Sequence, residues 1–174
     1  YFQNGIAPEN YEFSEHKEGN VVGYLGKIRT DKGVPDLLKA VSILLGKGIT
    51  VSCIIGGTGD LPAMKKLCEE YKLENVIFPG WMTEKDKKEL LSMSRVLALP
   101  SYHEGFPVVI LEAMASGVEV VATDVGAIPE VIETDLKPGD IQGLANMIAQ
   151  KLLTNKDQLE QNRRKTEEEY NIHT

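Results

Sequence analysis

The rest of the chain is arranged around residues 101–112, which read Ser101-Tyr-His-Glu-Gly-Phe-Pro-Val-Val-Ile-Leu-Glu112. The apolar run 96–100 before this stretch predicts a buried strand, and residues 111–116 at its end predict a helix. Seven residues separate Glu104 from Glu112, so we expect Glu104 in the loop and Glu112 about two turns into the helix. Because the first N–H groups of a helix have no intrahelical partner, this junction is predicted to be a functional site that can hold an anion.

The composition is ordinary for a globular domain. The chain has 174 residues, of which 42% are hydrophobic and 26% charged, so we expect one domain with a full core, or one domain with a small appendage. Its net charge of −7 argues against a surface for nucleic acid or anionic membrane. No apolar run approaches the ~20 residues of a membrane span, and no signal peptide is recognised. Cys53 and Cys68 form no CxxC pair, which favours a reducing, cytoplasmic compartment.

Three segments are predicted along the chain. Residues 1–3, Tyr-Phe-Gln, resemble the end of a protease-cleavage tag and are excluded from the fold prediction. Residues 4–153 are predicted to form the domain, which we interpret as a piece excised from a longer protein. The charged residues 154–174 predict a solvated helix or tail that packs on something outside this chain.

Apolar strands alternate with amphipathic helices through the domain. Strands are predicted at 21–25, 50–55, 75–78, 95–99 and 119–123, and helices at 34–45, 60–71, 83–93, from 126, and 140–153. Asp60 and Asp140 are expected to cap helices, and Thr83 with Asp86 resembles a capping box. This alternation predicts an α/β fold, a doubly wound parallel sheet in a single Rossmann-like domain, with ligands beyond the carboxyl ends of the strands.

Basic and glycine-rich turns follow the first two strands. Lys27, Arg29 and Lys32 fall within six residues, which is typical of either a phosphate clamp or a solvated turn. The glycines of 57–59 fit either a ligand loop or a tight turn before a helix. No GxGxxG follows the first strand and no acidic residue ends the second, so a nicotinamide cofactor is not expected.

Two further side chains allow both a functional and a structural interpretation. Trp81, the single tryptophan, could wall a nucleobase pocket or simply pack an edge. His103 could donate a hydrogen bond to a ligand or be an ordinary loop residue. His16, His103 and His173 are too scattered to form a metal site, so no metal is predicted.

Together these motifs resemble the C-terminal, donor-binding domain of the family 4 retaining glycosyltransferases, enzymes with two Rossmann-like domains facing across a cleft. Residues 104–112 look like the family's Glu-x7-Glu motif, and 120–130 is similar to the segment that follows it. Residues 26–33 look like its phosphate-binding turn. Two features depart from the family. Lys27 stands where Arg is usual, and 132–139 is short where a further turn and strand are usual, either through a true deletion or because residues are missing from the sequence.

The resemblance implies a role for each part of the site. Lys27 and Lys32 would hold the diphosphate of a nucleotide-sugar donor, and Glu112 would bind the ribose hydroxyls. The remaining contacts implied are Glu104 with the backbone of Gly105, Phe106, Pro107 and Val108 for the sugar, and Trp81 and Met82 for the base. No cofactor or metal would be required, and UDP-sugars are the first expectation for the donor.

The predicted function is therefore the nucleotide-sugar-binding half of a retaining glycosyltransferase. Its partner would be its own N-terminal acceptor domain, which would also carry any membrane contact, and the fragment alone should bind the donor without catalysing transfer. Two alternatives stay open: the donor-binding half of a sugar-nucleotide epimerase, and a nucleotide-binding module without catalysis. A glycoside product, as opposed to a free epimerised sugar, would separate the first two.

Overall fold

A computed structural model describes residues 6–13, 17–154 and 156–170 of the chain. The expected tag remnant at 1–3, Asn4, Gly5, His16 and His173 lie outside these ranges. Five parallel strands form one sheet in the order β3-β2-β1-β4-β5. The strands are β1 Val21–Leu25, β2 Ser52–Gly56, β3 Val76–Gly80, β4 Val96–Leu99 and β5 Glu119–Ala122. The predicted parallel sheet is confirmed, and no strand end differs from the prediction by more than two residues.

Seven helices are described, together with two short 3-10 turns at Pro8–Asn10 and Thr30–Lys32. The helices are α1 Val34–Gly46, α2 Leu61–Glu70, α3 Glu84–Met93, α4 Val108–Ala115, α5 Ile128–Val131, α6 Ile141–Lys151 and α7 Lys156–Glu169. The predicted caps are confirmed: Asp60 accepts from the Ala63 N–H and Asp140 from the Gly143 N–H. Asp86 also completes the predicted capping box, where a longer acidic or amide side chain is usual.

Helices cover both faces of the sheet. Successive residues of β4 alternate between the faces, so Val96 and Ala98 lie in the core beneath α1, α2 and α6. Leu97 and Leu99 lie in a second core beneath α3, α4 and α5. The predicted doubly wound architecture is therefore confirmed. No helix among the described residues is long and apolar enough to cross a membrane.

The position of Glu112 within its helix differs from the prediction. The helix α4 begins at Val108, with Pro107 as its N-cap, so Glu112 is the fifth helical residue and lies just over one turn in. Proline fixes its own φ and has no N–H, which suits a position at a helix start. The two carboxylates of the motif are therefore separated by a longer loop and a shorter piece of helix than expected.

The charged tail forms the predicted helix, and it packs on the domain itself, which the sequence did not predict. The helix α7 packs against α4 of the same domain. Arg163 donates to the carbonyl of Ala115, the last residue of α4, and Lys165 donates to the carbonyl of Val131, the last of α5. Basic side chains satisfy the free carbonyls of helix C-termini, so the charge of this segment is itself what docks it.

The short segment 132–139 contains no strand in the structure. The Thr134 hydroxyl donates to the Ala122 carbonyl, and the Asp124 N–H donates to the Leu136 carbonyl, so the segment closes back on the end of β5. The further strand that the family resemblance leads one to expect is therefore absent from the described residues.

Candidate functional site

A cavity of about 530 Å³ opens beyond the carboxyl ends of β1 and β2, against the start of α4. It is lined by Leu25, Gly26, Lys27, Gly56, Gly57, Thr58, Trp81, Met82, Glu84, Lys87, Val108, Val109 and Glu112. The carboxyl edge of a parallel sheet is where α/β domains hold their ligands. The cavity is therefore the candidate site, and its parts come from four separate loops and helices.

Two strand-exit loops lie side by side at the base of the cavity because of their glycines. Gly57 has φ 137°, and a Cβ there would stand 1.8 Å from the carbonyl oxygen of Gly26. A Cβ at Gly59 would stand 2.0 Å from the carbonyl oxygen of Ile28. The Ile28 N–H donates to the Thr58 carbonyl at 2.9 Å, which joins the loops. The tight turn at 57–59 is therefore required sterically, and its residues Gly57 and Thr58 line the cavity, while the ligand-loop interpretation stays a prediction.

The motif's second carboxylate faces this cavity. Glu112 is buried, with 9% of its surface exposed, and its Oε1 accepts a 2.8 Å hydrogen bond from the hydroxyl of Tyr11. Burial and the bond to this carboxylate raise the pKa of the Tyr11 phenol, which keeps the hydroxyl protonated. Glu112 is therefore held by an uncharged donor, and no ion pair to it occurs among the described residues.

The structure brings five of the predicted site residues to the cavity: Lys27, Trp81, Met82, Val108 and Glu112. The Lys27 side chain is exposed, while its carbonyl accepts from the buried Tyr24 hydroxyl, which fixes the turn. Trp81 is 75% exposed, so its ring covers little of the core. This exposure argues against the edge-packing interpretation of Trp81.

Lys32 and Glu104 are not among the residues that line this cavity, but they form an ion pair of their own. Lys32 Nζ lies 3.1 Å from Glu104 Oε1 and also donates to the His103 carbonyl. The hydroxyl of Ser101, which is fully buried, donates to the same Oε1 at 2.7 Å. Two donors on one oxygen fix the orientation of this carboxylate. His103 takes part in this cluster through its backbone carbonyl, which accepts from Lys32, and not through its imidazole ring.

The loop between the two glutamates is held from outside the cavity. The Gly105 carbonyl accepts from the Ala127 N–H, and a Cβ at Gly126 would stand 2.0 Å from the Glu104 carbonyl. The ring of Phe106 packs against Tyr170 with centroids 6.2 Å apart, and Pro107 is buried. Gly105, Phe106 and Pro107 therefore do not line the cavity, in contrast to Val108 immediately after them.

Other functional candidates were missed from the sequence. Thr58, Glu84 and Lys87 line the cavity, Ser101 orients Glu104, and Tyr11 contacts Glu112. The signal for Ser101 was its place directly after a buried strand, three residues before Glu104. Tyr11 gave no local signal, because 101 positions separate it from its partner. Arg29, a member of the predicted basic cluster, pairs with Asp31 on the surface, which fits the solvated-turn interpretation for that residue.

Comparisons with known proteins identify the family of this chain. The family described as glycosyl transferases group 1 matches residues 8–169. The N-acetyl-alpha-D-glucosaminyl L-malate synthase of Bacillus anthracis is 28% identical over 158 residues, 87% of this chain and 41% of the relative. A colanic acid biosynthesis glycosyltransferase, WcaL of Salmonella typhimurium, is 32% identical over 149 residues, 78% of this chain and 37% of the relative. The chain thus spans less than half of either relative.

Solved structures share the fold. The C-terminal domain of a group 1 glycosyl transferase from Francisella tularensis has a TM-score of 0.83 at 23% identity, covering 97% of this chain and 100% of that one. Anabaena HepE, solved with UDP-glucose, has a TM-score of 0.83 at 23% identity, covering 97% of this chain and 52% of that one. The match of the family to residues 8–169 covers most of the sequence. The chain therefore belongs to the group 1 family of glycosyl transferases.

Proposed function

We propose that this chain is the donor-binding half of a retaining glycosyltransferase and that a nucleoside diphosphate sugar occupies the cavity between β1, β2 and α4. One observation carries the proposal. A cation at Lys27, the N-terminal residues of α4 and the buried acceptor Glu112 line a single cavity at the carboxyl edge of the sheet. A diphosphate, helix N–H groups and a ribose diol are the matching ligand groups. The UDP-glucose complex of the similarly folded HepE supports this assignment.

The proposed arrangement follows the lining of the cavity. The base lies against the exposed Trp81 and beside Met82, because an aromatic face stacks well on a nucleobase. The ribose hydroxyls bond to Glu112, and the diphosphate lies between Lys27 and the start of α4. UDP is the nucleotide we propose first.

The sugar is proposed to lie next to Glu104, beside the cavity. Glu104 is oriented by Ser101 and Lys32, so its second oxygen can accept a sugar hydroxyl with little loss of side-chain freedom. Lys32 joins this carboxylate to the phosphate side of the site, which is the place where negative charge develops as the diphosphate leaves. A fixed cation and helix N–H groups can stabilise that charge, so we propose that transfer needs no metal ion.

Transfer itself would need a second domain. The chain spans 41% of its Bacillus relative, and we propose that the acceptor binds in an N-terminal half across a cleft. We further propose a cytoplasmic location, since two free, buried thiols at Cys53 and Cys68 suit a reducing compartment.

Calorimetric titration of this chain tests the proposal. We expect UDP or GDP to bind, the matching nucleotide sugar to bind as well, and excess EDTA to leave both affinities unchanged. Uridine, which lacks the phosphates, is the matched control and should bind far more weakly. No binding by any nucleoside diphosphate would overturn the assignment, and loss of binding with EDTA would overturn its metal-free part. In the full-length protein, release of a free epimerised sugar in place of a glycoside would support an epimerase.

A further inference from the structure

We propose that Tyr11 is a positioning residue for nucleotide recognition, and that its hydroxyl holds the Glu112 carboxylate in the orientation in which it accepts the ribose hydroxyls. The inference rests on the proposed function, because it assigns a partner to the same carboxylate. Tyr11 belongs to the segment before β1 and comes directly after the 3-10 turn Pro8–Asn10. Nothing in the motif that contains Glu112 indicates this distant contact.

The position of the Tyr11 hydroxyl is fixed by the contacts of its ring. The half-buried ring packs against the second core, the one beneath α3, α4 and α5. The ammonium of Lys88 lies 5.3 Å from the centroid of the ring, at a distance typical of a cation–π contact. The hydroxyl is therefore delivered to Glu112 Oε1, at 2.8 Å, by a side chain that is already ordered.

The hydrogen bond leaves most of the carboxylate available to a ligand. Two carboxylate oxygens offer about four acceptor positions, and Tyr11 takes one of them. Within the described residues, no second protein hydrogen bond reaches the Glu112 carboxylate. A ribose diol needs two neighbouring acceptor positions, so ribose and Tyr11 can bind the carboxylate together. An ordered carboxylate loses less side-chain freedom when the nucleotide binds, and this is how a positioning residue raises affinity.

The charge state of the pair supports the same role. Burial, together with the Glu112 carboxylate, raises the pKa of the Tyr11 phenol, so the hydroxyl stays a donor throughout the neutral range. Being uncharged, it orients the carboxylate without competing with the diphosphate for cations. The other glutamate of the motif has a charged partner, because the ammonium of Lys32 forms an ion pair with Glu104.

The test compares Tyr11→Phe with the unchanged chain by calorimetry, using UDP and its 2′,3′-dideoxy analogue as ligands. Because the Glu112 side chain of the variant must first be ordered when the ribose binds, we expect UDP to bind about fivefold more weakly to the variant. The dideoxy analogue, which lacks both hydroxyls, should bind the two proteins equally. Tyr102→Phe is the matched control, because it removes another phenol–carboxylate bond of 2.8 Å, to Asp36, outside the cavity. It should leave UDP affinity unchanged.

Each outcome separates this inference from the proposed function. If the unchanged chain binds no nucleoside diphosphate, the proposed function is wrong. If the unchanged chain binds UDP, two results would show that only the role of Tyr11 is wrong. In the first, Tyr11→Phe binds UDP as tightly as the unchanged chain or more tightly. In the second, the substitution weakens UDP and the dideoxy analogue by the same factor. Phenylalanine keeps the ring, and melting curves check the fold. In a Glu112→Ala background, which has no acceptor for Tyr11 to position, the Tyr11 substitution should cause no diol-specific loss, and a persistent one would also overturn the inference.

Discussion

Two buried glutamates near each other in sequence show how differently the two ends of this sheet are used. Glu112 of α4 lines the cavity at the carboxyl edge, is 9% exposed, and accepts a hydrogen bond from an uncharged phenol. Glu119 begins β5 at the amino edge, is 2% exposed, and pairs with the ammonium of Lys151 at 3.0 Å. A neutral partner leaves the negative charge available to a ligand, whereas a cation cancels it. The first arrangement suits binding and the second suits stability.

The connections at the two edges differ in the same way. At the carboxyl edge, glycines let the loops after β1 and β2 approach to contact distance and expose backbone to the cavity. At the amino edge, side chains close the ends of helices: Lys17 donates to the carbonyls of Leu91 and Ser116, near the ends of α3 and α4. We expect substitutions at the carboxyl edge to alter binding, or to fail through backbone clashes, and those at the amino edge to alter stability alone.

The largest expected effect is that of Gly57→Ala. The new Cβ would stand 1.8 Å from the Gly26 carbonyl oxygen, at a φ of 137° that favours glycine, so either the loops separate or the protein unfolds. We expect a loss of about 3 kcal/mol or more in the free energy of unfolding, measured with urea. The control is Gly46→Ala, at the end of α1, where nothing lies within 4 Å of the added carbon. It should be neutral or slightly stabilising; equal losses in both variants would contradict the steric account.

The next effect concerns the ion pair at the amino edge. Lys151→Met leaves the Glu119 carboxylate buried without its cation, and its Oε1 already has no partner within the described residues. We expect a loss on the order of 2 kcal/mol, less than for a fully buried pair because Lys151 is one-third exposed. The double variant Glu119→Gln with Lys151→Met should recover most of this loss in urea unfolding. UDP affinity should be unchanged in all three proteins, and a weaker affinity would show that the two edges are coupled.

A smaller effect separates the two glutamates of the motif. Glu112→Gln should weaken UDP and the UDP-sugar alike, by about 1.5 kcal/mol, because both carry the ribose. Glu104→Gln should leave UDP nearly unchanged and weaken only the sugar-bearing ligand, since Glu104 lies outside the cavity. Calorimetry with both ligands measures the difference, and glutamine keeps the volume of either side chain. If Glu104 governs the affinity for bare UDP, the two roles proposed here are reversed.

The sequence predicts the fold well because its signals are local. Apolar strands, glycines and capping residues each act within a few positions, and all five strands were predicted to within a few residues. The cavity was predicted in part for the same reason: Lys27 and Trp81 each follow the end of a strand closely, and Val108 lies inside the motif between the two glutamates. The start of α4 was predicted at the wrong residue. Pro107 can stand at a helix start or within a loop, and the sequence does not show which of the two applies.

Apart from the local contact of Ser101 with Glu104, the contacts that could not be predicted join distant parts of the chain. Tyr11 and Glu112 are 101 positions apart, and Lys32 and Glu104 are 72 apart. The docking of α7 was missed for a second reason. Its side chains are mostly charged and give no apolar stripe, and its contact with α4 depends on Arg163 reaching a backbone carbonyl that no sequence pattern marks.

The smallest expected effect is a pH dependence at the amino edge. Burial lowers the pKa of Lys17 from 10.5 to about 8. Between those two values Lys17 is protonated in the unfolded chain and neutral in the folded one, so the contribution of Lys17 to the free energy of unfolding rises with pH across this window. The test compares urea unfolding at about pH 8 and about pH 9.5, which stays below the ordinary tyrosine pKa of about 10. This limit matters because burial raises the pKa of Tyr24, which lowers stability at higher pH. Burial also raises the pKa of Cys53 and of Cys68, which lowers stability inside the window in every variant. The Lys17 contribution is therefore the difference between two proteins: Lys17→Met should have a lower slope than the unchanged chain, and equal slopes would show that the charge of Lys17 is not what the folded state disfavours.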